Sequence, residues 1–423
     1  KILNVVVLYY YVHCSLLCSS FLISYPSLPT QKVLKKEISH SPFSFTTTTI
    51  IMSAAKIRIA STSHSFEDIA SILADYTNAQ LVNQTQLFGG YSGCSYRIEL
   101  DNDLTYVVKV QTGYSYEHAE LMCRTTNYLG ENNNDNSCSC CLPIPLLRKD
   151  DDDNANDNNK YTFVSKKEKN GAPALLLTYI KGKQADAVMR EHPHLGPTVM
   201  KGIGGGLARI HSATSNGITQ EEATTNNLRW YQSDGGCCDV QDQIDGKVLS
   251  DILSCKDEKR RDDFLDSIYT NELSSLKTEM QLVLSHGITH GDPFADNVLV
   301  NELNGEFSSF IDIEDVCVGP ILFDLCCCAI GCCFTPVLDY DLLEALLDGY
   351  TQERKLSQIE RDHFIPFMRL TLLCNCSWRF VKFNVKSDSS VPEEVKDSYF
   401  ELQRRIEYLH DPDVIQKINT SIQ

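Results

Sequence analysis

The feature that most constrains this chain is a polar loop that separates two short apolar runs in its C-terminal half. The loop reads Thr-His-Gly-Asp-Pro-Phe-Ala-Asp-Asn and leads into the apolar run 298–300. A short turn follows, and then a second apolar run, 310–311. Two neighbouring strands would therefore bring the side chains of Asp292, Asn297 and Asp312 to one place. Hard cations such as Mg²⁺ take oxygen ligands of this kind and share them with bound phosphates.

The spacing of five residues from Asp292 to Asn297 is typical of phosphoryl-transfer catalytic loops. With Ile-Asp-Ile-Glu-Asp and Gly-Pro-x-x-x-Asp-Leu behind it, the loop resembles that of the aminoglycoside phosphotransferase and choline kinase superfamily. Phe294 is more similar to the homoserine kinase branch, since aminoglycoside enzymes often have His there. The alternative is a surface turn rich in Asp and Asn. The loop, the spacing and both strands together argue against that alternative.

The resemblance implies an α+β, bilobal protein-kinase-like fold. It predicts a small N-terminal ATP-binding lobe with an antiparallel sheet at residues 53–182. A larger, mostly helical catalytic and substrate lobe is expected at 183–423. ATP and Mg²⁺ are the implied cofactors, with Asp292 as the catalytic base and Asn297 and Asp312 as the metal ligands.

Further polar residues of the same region are expected to support this loop. His290 would fix the loop through hydrogen bonds, as the resemblance suggests, because Asp292 is better placed to be the chemical base. Asp324 resembles an Asp that ties the catalytic loop to the helix that follows. Glu314 and Asp315 lie close to the predicted metal, and solvated acids are the default interpretation of both.

Lys109 lies inside a predicted apolar strand, where an unpaired ammonium would be costly to bury. Ion pairing with ATP phosphates and with a helix carboxylate would account for it. Glu120 is the first choice for that carboxylate and Glu117 is the second. The alternative is an edge-strand lysine that reaches solvent.

A glycine-rich turn precedes Lys109 and would let backbone N–H groups approach phosphates closely. Further along, an apolar strand that ends in a glycine resembles the segment that joins the two lobes and binds adenine. These two stretches supply the remaining residues expected at the nucleotide, which are Gly89, Gly90, Gly93, Ser95, Thr178, Tyr179 and Ile180.

Several helical patterns in the C-terminal part have a predicted role. A triple glycine in the helix at 195–211 is expected to permit close helix packing. The segment Asn-Leu-Arg-Trp-Tyr resembles one of homoserine kinases, so Arg229 and Trp230 are substrate-side candidates. A late helix, 367–383, resembles the helix that closes the family's substrate pocket, and a pure core helix is equally compatible with its pattern.

Composition restricts the partners and the compartment. The formal net charge of −18 argues against nucleic acid or an anionic membrane as the main partner, whereas a cationic small substrate would be attracted. Many of the 18 cysteines are adjacent in the sequence. Zinc binding is the more specific interpretation of the sets at 138–141 and 374–376. No paired Cys-x-x-Cys units or neighbouring His residues complete a zinc site. We therefore expect free thiols, with the 326–333 set in a helical core, and a reducing, cytoplasmic compartment.

Two segments look foreign to the fold. Residues 1–51 are apolar and then rich in Ser and Thr, as in a targeting leader, whose presence would send the protein to an organelle. Alternatively they are an upstream translated artefact, because Met52-Ser-Ala-Ala resembles a normal start. Residues 131–160 contain runs of Asn and Asp that we expect to form disordered insertions.

Three functional hypotheses follow. The first is a homoserine-kinase-like enzyme that phosphorylates a hydroxyl of a small molecule, with amino compounds as candidate acceptors. The second is another kinase of the superfamily, acting on choline, ethanolamine, hydroxylysine, a sugar or an aminoglycoside. The third is an inactive kinase-like module that binds a partner. Retention of Lys109, Asp292, Asn297 and Asp312 together weighs against the third.

Overall fold

A computed structural model describes the chain from residue 63 to residue 422 with several gaps. The described ranges are 63–87, 93–131, 141–149, 162–214, 217–231, 240–282, 284–334, 337–387 and 391–422. The predicted leader, the Gly89–Gly90 pair and most of the predicted insertion at 131–160 lie outside them. Among the helices within these ranges, none is both long and apolar enough to cross a bilayer.

The strands and helices are numbered here in chain order. The strands are β1 (Leu81–Leu87), β2 (Gly93–Leu100), β3 (Thr105–Gln111), β4 (Ala174–Thr178), β5 (Lys183–Gln184), β6 (His286–Thr289), β7 (Val298–Val300), β8 (Phe307–Phe310) and β9 (Cys317–Pro320). The helices are α1 (Phe66–Leu73), α2 (Tyr116–Glu131), α3 (Ala185–Glu191), α4 (Gly196–Ser212), α5 (Gln220–Thr225), α6 (Val240–Ile244), α7 (Lys247–Leu253), α8 (Glu258–Phe264), α9 (Thr270–Ser275), α10 (Lys277–Gln281), α11 (Ile321–Cys332), α12 (Tyr340–Glu353), α13 (Gln358–Asp362), α14 (Phe364–Phe380), α15 (Glu393–Lys396), α16 (Tyr399–Tyr408) and α17 (Pro412–Ser421).

The N-terminal part is an antiparallel sheet in the order β1-β2-β3-β4. Successive side chains of a strand point to opposite faces of its sheet. In β3, Val108 and Val110 therefore pack with Ile69 and Ile72 of α1 on one face. Lys109 projects from the other face, the one on which α2 packs. The alternation of β3 thus directs its lysine toward the loops of the C-terminal part.

The C-terminal part is built around the crossing of α4 and α12. A Cβ at Gly204 would lie 2.0 Å from the carbonyl oxygen of Leu346, and a Cβ at Gly349 would lie 1.9 Å from that of Lys201. No side chain fits at either contact, so glycine is required on both helices. The prediction that the glycines of α4 allow close helix packing is confirmed.

Two small antiparallel sheets position the predicted catalytic loop. β7 pairs with β8 so that Val298 lies opposite Phe310, and β5 pairs with the other edge of β7. β6 pairs with β9, with Ile288 opposite Val318. The loop follows β6 and enters β7, and the segment with Asp312 follows β8. The predicted pair of adjacent strands is confirmed.

The cysteines of the 326–333 set lie in α11 and at its C-terminal end, and all of them are buried. Their predicted place in a helical core is confirmed. The predicted α+β class, with an antiparallel sheet in the N-terminal part and helices in the C-terminal part, is confirmed as well. The predicted lobe boundary at 182/183 stays a prediction.

Candidate functional site

The buried carboxylate of Asp324 in α11 accepts hydrogen bonds from the backbone of the loop between β6 and β7. Asp324 Oδ2 accepts from the backbone N–H of His290 at 2.8 Å, and Oδ1 accepts from that of Gly291 at 2.9 Å. His211 of α4 donates to Oδ2 at 3.0 Å and accepts from Tyr350 at 2.7 Å. Two helices thereby fix the start of the loop, in agreement with the supporting role predicted for Asp324.

His290 links the loop to the strand that precedes Asp312. Its Nε2 donates to the carbonyl of Ile311 at 2.8 Å, and its Nδ1 accepts from the backbone N–H of Asp292 at 3.3 Å. Both ring nitrogens are therefore engaged by the backbone. This geometry suits the predicted support of the loop and leaves no nitrogen of His290 for an acceptor hydroxyl.

Asp292 and Asn297 are in direct contact. The Asn297 amide nitrogen donates to the Asp292 carboxylate at 2.8 Å and to the Asp292 carbonyl at 3.0 Å. The carbonyl of Asn297 accepts from the backbone N–H of Ile311 at 2.7 Å, which brings Asp312 alongside. The three oxygen-bearing residues predicted to converge are therefore adjacent in space.

Asp312 has a left-handed backbone conformation, with φ 63°, which is uncommon for a residue with a side chain and is often found at functional sites. Its Oδ1 lies 2.5 Å from Lys109 Nζ. Burial alone would raise the pKa of Asp312, but the neighbouring Lys109 ammonium outweighs burial and lowers it. The carboxylate is thus held in its charged form beside the lysine.

The pKa of Asp292 is raised well above its usual value. Burial is the main cause, and repulsion from Asp315, Asp312 and Asp296 adds to it. A cation among these carboxylates would relieve the repulsion and lower the pKa of Asp292. The electrostatics of the loop therefore favour a bound cation.

The donor set at this site fits Mg²⁺. Asn297 uses its amide nitrogen on Asp292, so its amide oxygen is the atom suited to a metal, and Asp312 offers a carboxylate. Among the described residues, no group of three or more His, Cys, Asp or Glu side chains is arranged to hold a metal ion. Mg²⁺ commonly binds through one or two protein oxygens, with phosphates and water completing its coordination. Asn297 and Asp312 are the residues that would hold it.

The carboxylate partner of Lys109 differs from the one that the sequence predicted. Besides Asp312, Lys109 contacts Glu314 Oε1 at 2.9 Å. Glu120 instead accepts from the backbone N–H groups of Thr162 and Phe163 at 2.9 and 3.0 Å, and Glu117 is exposed on the first turn of α2. The expected pairing with Glu120 was wrong for this structure, because the face of α2 that carries Glu120 packs on the 162–163 segment.

Glu314 was expected to be a solvated acid, and that expectation was also wrong. Its residue is 6% exposed, its carboxylate pairs with Lys109, and Tyr114 donates to it at 3.4 Å. The ring of His118 lies 4.4 Å from that of Tyr114 and contacts the carbonyl of Glu314 at 3.2 Å. No sequence signal marks Tyr114 or His118, because only the packing of α2 brings them here.

Arg229 was predicted to lie on the substrate side, but the structure places it inside the protein. It is 1% exposed, and its guanidinium donates to the carbonyls of Glu314 and Val316 at 3.1 and 3.4 Å. A buried charge requires such partners, and here they belong to the backbone of the loop after Asp312. Arg229 therefore supports that loop from inside the protein.

Trp230 lies beside the start of β6. Its ring stacks on that of His286, the first residue of this strand, at a centroid distance of 5.0 Å. Its predicted place on the substrate side stays a prediction.

Two of the residues predicted at the nucleotide, Gly93 and Ser95, belong to β2. A Cβ at Gly93 would lie 2.0 Å from the carbonyl oxygen of Val110, so the close approach of β2 and β3 explains this glycine. Ser95 lies opposite Lys109 in the same pair of strands. Gly89 and Gly90 fall outside the described residues, and their predicted contact with phosphates stays a prediction.

The predicted adenine segment follows β4. Thr178 uses its backbone N–H and its hydroxyl on Ile144, at 3.0 and 2.9 Å, so its N–H is already occupied and it is a poor partner for adenine. Tyr179 lies under the guanidinium of Arg97 at 5.1 Å. Tyr179 and Ile180 stay predicted adenine contacts.

The cysteine-rich helix also supports the catalytic loop. A Cβ at Gly331 would lie 2.0 Å from Cδ1 of Phe294, so the phenyl ring of the loop rests directly on the backbone of α11. Cys332 Sγ contacts the carbonyl of Pro293 at 3.7 Å. Sequence alone marked Phe294 as a branch-specific residue but gave no sign of its contact with Gly331.

Comparison with known families gives one match over most of the described chain. A model described as the phosphotransferase enzyme family matches residues 83–356. A homoserine kinase of Methylocella silvestris is 27% identical over 244 residues, which cover 57% of this chain and 68% of that enzyme. A homoserine kinase of Neisseria meningitidis serogroup B is 28% identical over 197 residues, 46% of this chain and 55% of that enzyme. The alignments span only about half the length of most of the homoserine kinases that match.

Solved structures share the fold. The amicoumacin kinase hAmiN, in complex with AMP-PNP and Ca²⁺, superposes with a TM-score of 0.56 at 14% identity, covering 82% of this chain and 94% of that one. A Plasmodium vivax ethanolamine kinase superposes with a TM-score of 0.51 at 12% identity, covering 79% and 83%. At such low identity these likenesses concern the fold alone, and they match the predicted bilobal α+β architecture.

Proposed function

The chain belongs to the phosphotransferase enzyme family and is a small-molecule kinase, and on that basis we propose the reaction that it catalyses. The reaction is transfer of the γ-phosphoryl group of ATP to a hydroxyl of a small amino compound, as in a homoserine kinase. The observation that carries the proposal is the convergence of Lys109, Asp292, Asn297 and Asp312 from two distant parts of the chain.

Each of these residues has a distinct task in the proposed reaction. Asp292 accepts the proton of the acceptor hydroxyl, and the amide of Asn297 holds its carboxylate in place at 2.8 Å. Lys109 orients the α- and β-phosphates, for which its buried ammonium is suited. Mg²⁺, held by Asn297 and Asp312, would supply charge neutralisation on the phosphates. Positioning and electrostatics account for most of the catalysis in transfers of this kind.

Two observations support the proposed acceptor, one from the structure and one from the comparison with known proteins. Phe294 occupies the loop position where the sequence is similar to homoserine kinases, and its ring is fixed on Gly331. The curated relatives that match are homoserine kinases. Homoserine, or another small molecule with a hydroxyl and an amine, is therefore the first acceptor to test.

The test measures ADP release from Mg²⁺–ATP with a panel that contains homoserine, ethanolamine, choline, hydroxylysine, a sugar and an aminoglycoside. Wild-type protein is compared with Asp292→Asn and with the surface variant Asp262→Asn, whose side chain is 59% exposed. Acceptor-dependent turnover should be lost in Asp292→Asn and kept in Asp262→Asn. Equal ADP release by wild type and Asp292→Asn with every acceptor contradicts the proposal and leaves a binding module as the alternative.

A further inference from the structure

The hydrogen bonds of the catalytic loop continue into the core of the C-terminal part, to a tyrosine that has no task in the reaction proposed above. Asp324 Oδ2 accepts from the backbone N–H of His290 and lies 3.0 Å from Nε2 of His211. Nδ1 of the same imidazole lies 2.7 Å from the hydroxyl of Tyr350, in α12. All four residues are buried. Helix α12 is thereby connected to the catalytic loop through the imidazole of His211.

The charge of Asp324 decides which nitrogen of His211 carries the proton. Burial would raise the pKa of Asp324, but its hydrogen bonds outweigh burial and lower it, so the carboxylate can only accept. Burial outweighs the neighbouring Asp324 and lowers the pKa of His211, so the imidazole is neutral at pH 7 and carries one proton. That proton must lie on Nε2, toward the carboxylate. Nδ1 must then accept from the hydroxyl of Tyr350.

The surroundings of Tyr350 suit it to be this donor. Burial raises the pKa of its phenol, so the hydroxyl keeps its proton. The phenol oxygen lies 3.4 Å from a guanidinium nitrogen of Arg354, which also pairs with the buried carboxylate of Glu360 at 2.6 Å. Because Arg354 can only donate, the phenol oxygen accepts from it and directs its own proton to Nδ1 of His211.

We propose that Tyr350 is a positioning residue for phosphoryl transfer, because its hydroxyl holds His211 in the tautomer that holds Asp324 on the catalytic loop. This inference rests on the proposed function. Without the hydroxyl, the buried Nδ1 would have no donor, which is costly. In the other tautomer, the lone pair of Nε2 would face the carboxylate. Either change loosens Asp324 on the backbone N–H groups at the start of the loop, and with them the position of Asp292.

The first test is the variant Tyr350→Phe, which removes the hydroxyl and keeps the ring. With the acceptor that turns over fastest in the panel above, kcat should fall by about 10-fold, because Asp292 is no longer held in the productive geometry. The KM for ATP and the KM for the acceptor should stay within about 2-fold of wild type, because the phenol contacts neither substrate. The matched control is Tyr269→Phe, which also removes a buried hydroxyl, one that donates to Gln243 at 2.7 Å. Both variants should melt at a lower temperature, but Tyr269→Phe should keep the wild-type kcat.

A double-mutant cycle shows whether Tyr350 acts through His211. His211→Phe removes both ring nitrogens and should itself lower kcat. If the hydroxyl acts through this imidazole, adding Tyr350→Phe to His211→Phe should lower kcat by less than about 2-fold further, because interacting residues are not additive. A tyrosine that acts by another route would lower kcat by the same factor in both backgrounds, which would overturn the inference.

The tautomer itself can be measured on the wild-type protein, without relying on any variant of His211 that folds poorly. A long-range proton–nitrogen NMR spectrum of histidine-labelled protein separates protonated from unprotonated ring nitrogens. The signals of His211 are assigned from their change in Tyr350→Phe. At pH 7 we expect a proton on Nε2 and none on Nδ1.

The outcomes separate this inference from the proposed function. A proton on Nδ1 of His211 in the wild type overturns the inference, and so does a wild-type kcat in Tyr350→Phe. Acceptor-dependent turnover by the wild type leaves phosphoryl transfer standing in both cases. Absence of turnover by the wild type with every acceptor overturns the proposed function, and the inference with it.

Discussion

Lys109 Nζ lies 2.5 Å from Asp312 Oδ1, although the two residues are 203 positions apart in the chain. Glu314 approaches the same ammonium to 2.9 Å. Burial by itself would lower the pKa of Lys109, but the two carboxylates outweigh burial and raise it. The lysine therefore stays charged at neutral pH, and one buried charge cluster joins β3 to the loop after β8.

Removing the charge of Lys109 should weaken both the fold and the reaction. In Lys109→Met the carboxylates of Asp312 and Glu314 face each other without a counter-charge. We expect the free energy of unfolding to fall by about 3–5 kcal/mol, as when one partner of a buried ion pair is removed. Turnover should fall by about 100- to 1000-fold, the usual effect of losing a positioned charge at a reacting group. Urea unfolding and ADP release measure the two effects.

The control for this variant is Lys169→Met. Lys169 also pairs with a carboxylate, that of Asp68 at 2.7 Å, but its side chain is 41% exposed. Water screens such a pair, so little change is expected in stability or turnover. Turnover of Lys109→Met at the wild-type rate would contradict the assignment of Lys109 to the nucleotide phosphates.

A second prediction distinguishes Glu314 from Glu120 as the acid that serves Lys109. Glu314→Gln weakens the contact of this side chain with the ammonium and should raise the KM for ATP by about 10-fold, the loss of one charge-assisted hydrogen bond. Glu120→Gln disturbs the backbone of Thr162 and Phe163 and should lower the melting temperature with little change in the KM for ATP. Steady-state kinetics and thermal unfolding of both variants give the comparison. The reverse pattern would restore Glu120 as the partner during catalysis.

The catalytic loop could be predicted from sequence because its geometry is local. Asn297 is five positions after Asp292, and one turn separates the strand that follows Asn297 from the strand that precedes Asp312. Short connections of this kind restrict where the side chains can lie. The supporting role of Asp324 was predicted from the resemblance of the Gly-Pro-x-x-x-Asp-Leu motif to that of the superfamily, and its contacts with the loop agree with that role.

The errors concern residues whose partners are far away in the chain. Glu120 and Arg229 both have charged side chains in helical or loop segments, and sequence does not say which face of α2 meets residues 162–163 or that a buried guanidinium meets Val316. Long-range packing decides these contacts, and a single sequence carries little information about it.

The contact of Phe294 with α11 leads to a third prediction. Gly331→Ala would place a methyl group 2.0 Å from Cδ1 of Phe294, so the ring and the adjoining catalytic loop must move. We expect a loss of about 1–3 kcal/mol in stability, as for other overpacked contacts, and a fall in kcat of at least about 10-fold from the misplaced Asp292. Kinetics and thermal unfolding of the purified variant test this.

Two further variants control for the loss of glycine itself. Gly130→Ala lies in α2 with no atom within 4 Å of the added methyl group, and it should raise stability by about 0.5–1 kcal/mol, because alanine favours a helix. Adding Phe294→Ala to Gly331→Ala removes the clash and should recover part of the lost stability. A Gly331→Ala variant with wild-type kcat would show that the loop does not depend on this contact.

The last prediction concerns the pH dependence of the contacts of Asp324. Burial would raise the pKa of this carboxyl, but hydrogen bonds from His211 and from the backbone N–H of His290 outweigh burial and lower it. A carboxyl whose pKa is lower in the folded state contributes stability that is complete above its unfolded pKa, about 3.9, and is lost as the pH falls through the folded pKa.

The variant Asp324→Asn keeps the shape of the side chain and lacks this contribution. At pH 7 it should be less stable than wild type by about 1.5–3 kcal/mol, because the charged hydrogen bonds are lost. The difference in stability should shrink below about pH 4. Urea unfolding from pH 7 to pH 3 measures it. The control is Asp362→Asn, because the side chain of Asp362 is exposed and contacts the surface residue Gln358, at 2.7 Å. The stability of this variant should follow the wild-type curve at every pH. A difference between wild type and Asp324→Asn that widens as the pH falls would contradict the lowered pKa of Asp324.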